Sequence, residues 1–110
     1  MNITKVVVNN EEVQPPYEFN FQSGAGRVAW SIYASDFDEW ASSDDPITKA
    51  EFEIKGVRSI ESIVEEYPLG KNPTYWRTDP SLYPVSEPGV LQLKSLKSAS
   101  GKLRWMNPNS

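Results

Sequence analysis

The sequence predicts a mainly β, α+β domain: an antiparallel sheet curved into a sandwich or small barrel, with one amphipathic helix at about residues 57–67 packed on it. Three observations lead to this prediction. Six segments carry strand patterns, one segment repeats its apolar residues at helical spacing, and a chain of 110 residues is long enough for one hydrophobic core but too short for two. We therefore expect a single domain over residues 1–110.

The first strand pattern is the β-branched run from Ile3 to Val8, and the polar residues 9–12 after it are typical of a turn. In residues 17–22 three aromatic side chains alternate with polar ones, which places the aromatics on one face of a strand. That face should belong to the core.

A glycine-rich turn at residues 23–26 leads into the third pattern, residues 27–34, where Val28, Trp30 and Ile32 share a face. Because the turn is short, we expect the second and third patterns to form a hairpin.

The middle of the chain predicts a helical turn, a strand and the helix. Residues 36–39 have the spacing of a capping box, with Asp36 followed three residues later by Glu39. Residues 47–55 alternate apolar and charged side chains and predict a strand that ends at Gly56. Apolar residues in 57–67 then recur at helical spacing until Pro68.

Two further strand patterns, residues 90–96 and 102–106, flank a turn at residues 98–101 and predict a closing hairpin. In the second of these, alternation predicts that Leu103 and Trp105 share one face, and that Lys102 and Arg104 share the other.

Residues 67–89 hold five prolines and four aromatic residues. Each proline lacks a backbone donor and keeps its predecessor out of the helical region, so neither a helix nor a central strand is expected here. The aromatic content favours order. We therefore expect a long, ordered surface segment with a binding role.

The chain has no histidine and no cysteine. These absences remove the usual general base, thiolate nucleophiles, disulfides and structural zinc sites from its chemistry. Asp36, Asp38, Asp44 and Asp45 do not follow a calcium-binding loop and are better explained by a helix cap and a turn. We expect no catalytic residue, no metal and no cofactor.

The N-terminal segment has a run of only three valines, shorter than a signal-peptide core or a membrane span. This predicts a cytoplasmic protein that does not enter a membrane.

The charges are unevenly distributed. Residues 36–66, called here the acidic strip, hold ten acidic and three basic residues, whereas residues 67–110 hold six basic and two acidic residues. Two solvated surfaces of one domain would explain this pattern, and so would a charged docking surface.

We expect a non-catalytic domain that binds another protein, since Trp, Tyr and Arg predominate among residues that anchor interfaces. The predicted partner-binding residues are Tyr75, Trp76, Arg77 and Tyr83 in the proline-rich segment, with Glu61, Glu65 and Glu66 in the acidic strip. An inhibitor or immunity-type protein would fit, with the acidic strip covering a basic site on an enzyme.

Three alternatives remain open. Tyr75 and Trp76 would suit a carbohydrate-type ligand that stacks on aromatic rings. An exposed strand edge would suit a homo-oligomeric structural subunit. The basic hairpin around Lys102 and Arg104 would suit a nucleic acid, which the overall acidity of the chain disfavours.

Overall fold

A computed structural model of the chain describes residues 2–21, 27–35, 44–67, 74–78, 81–82 and 88–108. All regular structure in these ranges is antiparallel β-strand, as the strand patterns predict. The eleven strands are β1 (Asn2–Val8), β2 (Glu11–Val13), β3 (Glu18–Phe21), β4 (Arg27–Val28), β5 (Trp30–Ser35), β6 (Ile47–Ile54), β7 (Arg58–Tyr67), β8 (Thr74–Thr78), β9 (Ser81–Leu82), β10 (Gly89–Ser98) and β11 (Leu103–Met106).

Two antiparallel sheets account for all eleven strands. The large sheet has nine strands in the order β11-β10-β6-β7-β8-β5-β1-β2, with β3 also paired to β10, and the small sheet is the ribbon of β4 and β9. The end strands of the large sheet, β11 and β2, do not pair with each other, so the prediction of a closed barrel is wrong.

The predicted helix at residues 57–67 is also wrong, because this segment forms strand β7, and no helix occurs among the described residues. Burial follows a period of two: Ser62 and Val64 are buried, whereas the side chain of Ile63 between them is 77% exposed. The first half of β7 pairs with β6 and the second half with β8, so backbone pairing on neighbouring strands overrode the helical spacing. The assignment to the α+β class is corrected to all-β.

Several strand predictions are confirmed, namely β1, β6 and the β10–β11 hairpin. The turn predicted at residues 9–12 is shorter in the structure. It consists of Asn9 and Asn10, both with positive φ as asparagine tolerates in a hairpin turn, and Glu11 already begins β2.

The predicted hairpin between residues 17–22 and 27–34 is wrong. Strand β3 pairs with β10, and β5 pairs with β1 and β8. The alternation of apolar and polar side chains in β3 determines which face of the strand points to the core, but it does not determine the strand with which β3 pairs. That choice depended on the rest of the core.

The segment 67–89 contains a central strand, contrary to prediction. Strand β8 occupies residues 74–78, which include no proline, and pairs with β5 on one side and β7 on the other. The predicted helical turn at residues 36–39 lies outside the described residues.

Register shifts interrupt three of the strand pairings, β1–β5, β10–β11 and β10–β6, and change which side chains share a face. Arg104 is an extra residue in β11, because Trp105 is paired with Leu96 and Leu103 with the adjacent Lys97. Leu103 and Trp105 therefore lie on opposite faces, which corrects the prediction that they share one. Lys94 in β10 and Thr48 in β6 mark two further shifts of this kind.

One hydrophobic core joins the two halves of the large sheet. Trp30 on β5 and Phe52 on β6 are buried, and their ring centroids are 4.5 Å apart. Since β7 and β8 separate these strands in the sheet order, the sheet must fold over to bring the two rings together. Its other surface faces outward.

Candidate functional site

The surface of β7, β6, β10 and β11 that faces away from the core, called here the outer face, carries two rows of residues aligned across the four strands. The basic row consists of Ile63, Lys49, Lys97 and Leu103. The acidic row consists of Glu61, Glu51, Ser95 and Met106.

Burial of the intervening residues places both rows on the outer face, where Ser95 alone among the eight row residues is covered by its neighbours. Ser62, Ala50 and Leu96, which alternate with the row residues, are buried on the inner surface. Cross-strand neighbours in register share a face, so each row forms a continuous line of side chains across the sheet.

Exposed apolar side chains lie at the ends of the rows. Ile63 on β7 is 77% exposed, and on β11 Leu103 is 50% and Met106 60% exposed. Leu103 and Met106 are three positions apart, so in a regular strand they would lie on opposite faces. The bulge at Arg104 places both of them on the outer face.

Diagonal ion pairs connect the two rows between these apolar ends. Lys97 Nζ lies 3.6 Å from Glu51 Oε2, and Lys49 Nζ lies 3.9 Å from Glu61 Oε1. The side chains involved are one third to one half exposed, and pairs of this kind stabilise a fold weakly. The lysines and glutamates therefore remain able to exchange partners at a contact.

The β10–β11 turn is held by Asp45, which precedes β6. Its Oδ2 accepts hydrogen bonds from Ser98 Oγ at 2.7 Å and Ser100 Oγ at 2.6 Å, and its Oδ1 accepts one from the Ser100 amide at 2.9 Å. These bonds, led by that from the Ser100 hydroxyl, lower the pKa of Asp45 to about 2. The Arg104 guanidinium also donates to the Asp45 carbonyl at 3.1 Å, which fixes the bulge residue.

The far end of β11 is held by Asn107, which is buried. Its side-chain amide donates to Pro16 O at 2.8 Å and to Leu93 O at 2.9 Å. Nearby, the rings of Tyr17 and Trp105 lie 6.0 Å apart between centroids. Both ends of this edge strand are thus fixed, so Leu103 and Met106 project from a rigid support.

The fold brings most of the predicted partner-binding residues onto two neighbouring strands. Tyr75, Trp76 and Arg77 lie on β8, where the backbone register sets Glu66 of β7 opposite Trp76 and Glu65 opposite Arg77. The structure describes these five residues by their backbone.

Of the other two predicted residues, Glu61 lies in the acidic row and is exposed. Tyr83 lies outside the described residues. The assignment of partner binding to these seven side chains stays a prediction.

Sequence reasoning missed Ile63, Leu103 and Met106 as surface residues. A helical reading of β7 placed Ile63 in the core, and regular alternation in β11 did the same for Leu103. The only sequence signal was weak: Ile63 alternates with Glu61 at strand spacing.

In the ranges that the structure covers, no three acidic side chains converge as they would to hold a metal ion. These ranges also contain no helix long and apolar enough to cross a membrane.

No protein-family model, curated protein or solved structure matches this chain. Its function is therefore inferred from the surface described above.

Proposed function

We propose that this chain is a non-catalytic, protein-binding domain and that it contacts its partner through the outer face. The observation that carries the proposal is the exposure of Ile63, Leu103 and Met106 on one side of a sheet whose opposite side is the core. Leu103 and Met106 lie close together on the edge strand β11, and Ile63 lies on the same surface at its other end, an arrangement that supports a protein interaction site.

The charges between the apolar ends fit this role. The interface of a protein that also exists free is, taken as a whole, about as polar as the rest of the protein surface, so charged side chains within it are compatible with binding. Glu51 and Glu61 of the acidic strip have lysine partners here, and Glu53 is paired with Lys94 at 3.4 Å. We therefore place the contact on the mixed outer face, and a purely acidic cover for a basic enzyme site is the less favoured form of the proposal.

The test is Ile63→Glu, compared with Val57→Glu as a matched control. Both side chains are large, apolar and at least 73% exposed, but Val57 lies in the turn between β6 and β7 whereas Ile63 lies in the basic row. We expect Ile63→Glu to abolish stoichiometric complex formation, measured by tagged-protein affinity purification from the native lysate and by sizing of the eluate. Val57→Glu should leave the complex intact.

Circular dichroism and thermal unfolding establish that both variants fold. A complex that survives Ile63→Glu and Met106→Glu would overturn the assignment of the outer face. A folded chain that elutes as a monomer, with no bound protein of any kind, would overturn the protein-binding function itself.

A further inference from the structure

We infer that the partner on the outer face is a second copy of this chain, bound face to face about a two-fold axis. The inference rests on the proposed function and names its partner. Its basis is charge complementarity: the basic row contributes two lysines, and the acidic row beside it contributes two glutamates on the neighbouring strands β6 and β7.

The two-fold axis lies between the two rows and runs perpendicular to the strands. It places the basic row of each copy over the acidic row of the other copy. Lys49 then faces Glu51 of the other copy, and Leu103 faces its Met106. The same operation repeats every contact, as a two-fold interface requires.

The other in-plane axis, parallel to the strands, gives a worse match. It would exchange β6 with β10 and place Lys49 over Lys97 of the second copy. Like charges opposed at an interface are unfavourable, so charge selects the axis that runs across the strands.

Packing considerations agree with the same axis. Sheets stacked face to face lie about 10 Å apart, a gap that a lysine and a glutamate can span together. The residue opposite Lys97 of the second copy is Ser95, which is neutral and 5% exposed, so no like charge opposes that lysine.

Edge-to-edge pairing through β11 is the competing route to a dimer. Strand β11 has only four residues and contains the bulge at Arg104, and both features hinder the addition of another strand. The broad outer face is therefore the better contact for a second copy.

The experiment is a charge swap measured by sedimentation equilibrium of the purified full chain. Lys49→Glu places glutamates opposite each other in the dimer, and Glu51→Lys places lysines opposite each other. We expect each variant alone to weaken dimerisation by about tenfold or more. An equimolar mixture of the two variants should restore dimers, because glutamate at 49 in one copy then faces lysine at 51 in the other.

The double variant Lys49→Glu/Glu51→Lys should likewise dimerise by itself, since it restores opposite charges across the axis. This rescue separates a contact between copies from a loss of folding. Single variants that dimerise like the unmodified chain, or a mixture that fails to recover, would overturn the inference.

A purified chain that stays monomeric at high concentration would also overturn it. If such a chain still bound a different protein from the lysate and lost it with Ile63→Glu, the proposed function would stand without the second copy. Dimers insensitive to both Ile63→Glu and the charge swaps would count against both.

Discussion

A single carboxylate, Asp45, joins the start of β6 to the turn that leads into β11. It accepts hydrogen bonds from two hydroxyls and one amide of that turn, and all three favour its charged form. The position of β11, and with it two of the three exposed apolar side chains of the outer face, depends on this residue.

The first prediction concerns acid stability. The pKa of Asp45 falls from its ordinary value of 3.8 to about 2 in the folded chain. Between these values the unfolded chain binds more protons than the folded one, so the stability that Asp45 contributes is present above about pH 4 and is lost as the pH falls toward 2. We expect Asp45→Asn to be less stable than the unmodified chain at about pH 5, with a gap that narrows as the pH falls through this window.

Urea unfolding at a series of pH values measures this gap. Ser100→Ala is an intermediate variant, because Ser98 Oγ and the amide of residue 100 would still donate to Asp45. The difference in stability between Ser100→Ala and the unmodified chain should be smaller than that for Asp45→Asn, and it should have the same pH dependence. A gap between Asp45→Asn and the unmodified chain that stays constant across the window would contradict the prediction.

At the scale of the element, β7 shows how a helical spacing can be misleading. Val57, Ile60, Ile63 and Val64 fit a helical stripe, but all four are β-branched and so also suit a strand. Three of them lie in β7, with Ile60 and Val64 directed inward. A short apolar run is ambiguous between the two periods. The neighbouring strands β6 and β8 decided the outcome by pairing with its backbone.

The second prediction compares two adjacent residues of β7. Val64 is 3% exposed and Ile63 is 77% exposed, whereas a helix would have buried both. Val64→Ala should lower the free energy of unfolding by about 2 kcal/mol, and Ile63→Ala should change it by about 0.5 kcal/mol or less. Chemical denaturation, at a protein concentration low enough to keep the chain monomeric, measures both. Equal losses would contradict the strand assignment.

The bulge in β11 is an element-scale feature that the sequence does not show. Alternation predicted the hairpin partner of β10, and the structure confirms that pairing. Arg104, the extra residue of the strand, donates from its guanidinium to the Asp45 carbonyl, 59 positions earlier in the chain. A contact so distant in sequence leaves no local signature, and for this reason the outward direction of Leu103 was missed.

At the scale of the whole molecule, the large sheet folds over on itself, and the hydrophobic core between its two halves stabilises it. Trp30 and Phe52 bring β5 and β6 together across the core, and the buried apolar residues form one cluster that includes β1 and β10. Both halves should therefore gain or lose stability together.

The third prediction tests this coupling with Phe52→Leu. The smaller side chain leaves unfilled volume beside Trp30 and should cost about 1 to 2 kcal/mol. Amide hydrogen exchange should show the same loss of protection in β1 and in β10, because one core supports both. Val57→Ala, at an exposed turn position, is the control and should change neither strand. A loss confined to β10 would indicate two independent units.

The sequence by itself determined the β-rich character of the chain, the inward residues of β6, the turn at Asn9 and Asn10, and the hairpin of β10 with β11. These features depend on the alternation of apolar and polar residues and on the residue types that favour turns. Both can be recognised from residues that are neighbours in the sequence.

Only the tertiary structure decided that β7 is a strand, that β3 joins β10, that β8 is a central strand, and that Ile63, Leu103 and Met106 share the outer face. Strand partners and bulges are selected by contacts between residues far apart in the chain. The candidate surface is built from such contacts, so it became visible only when the strands were placed side by side.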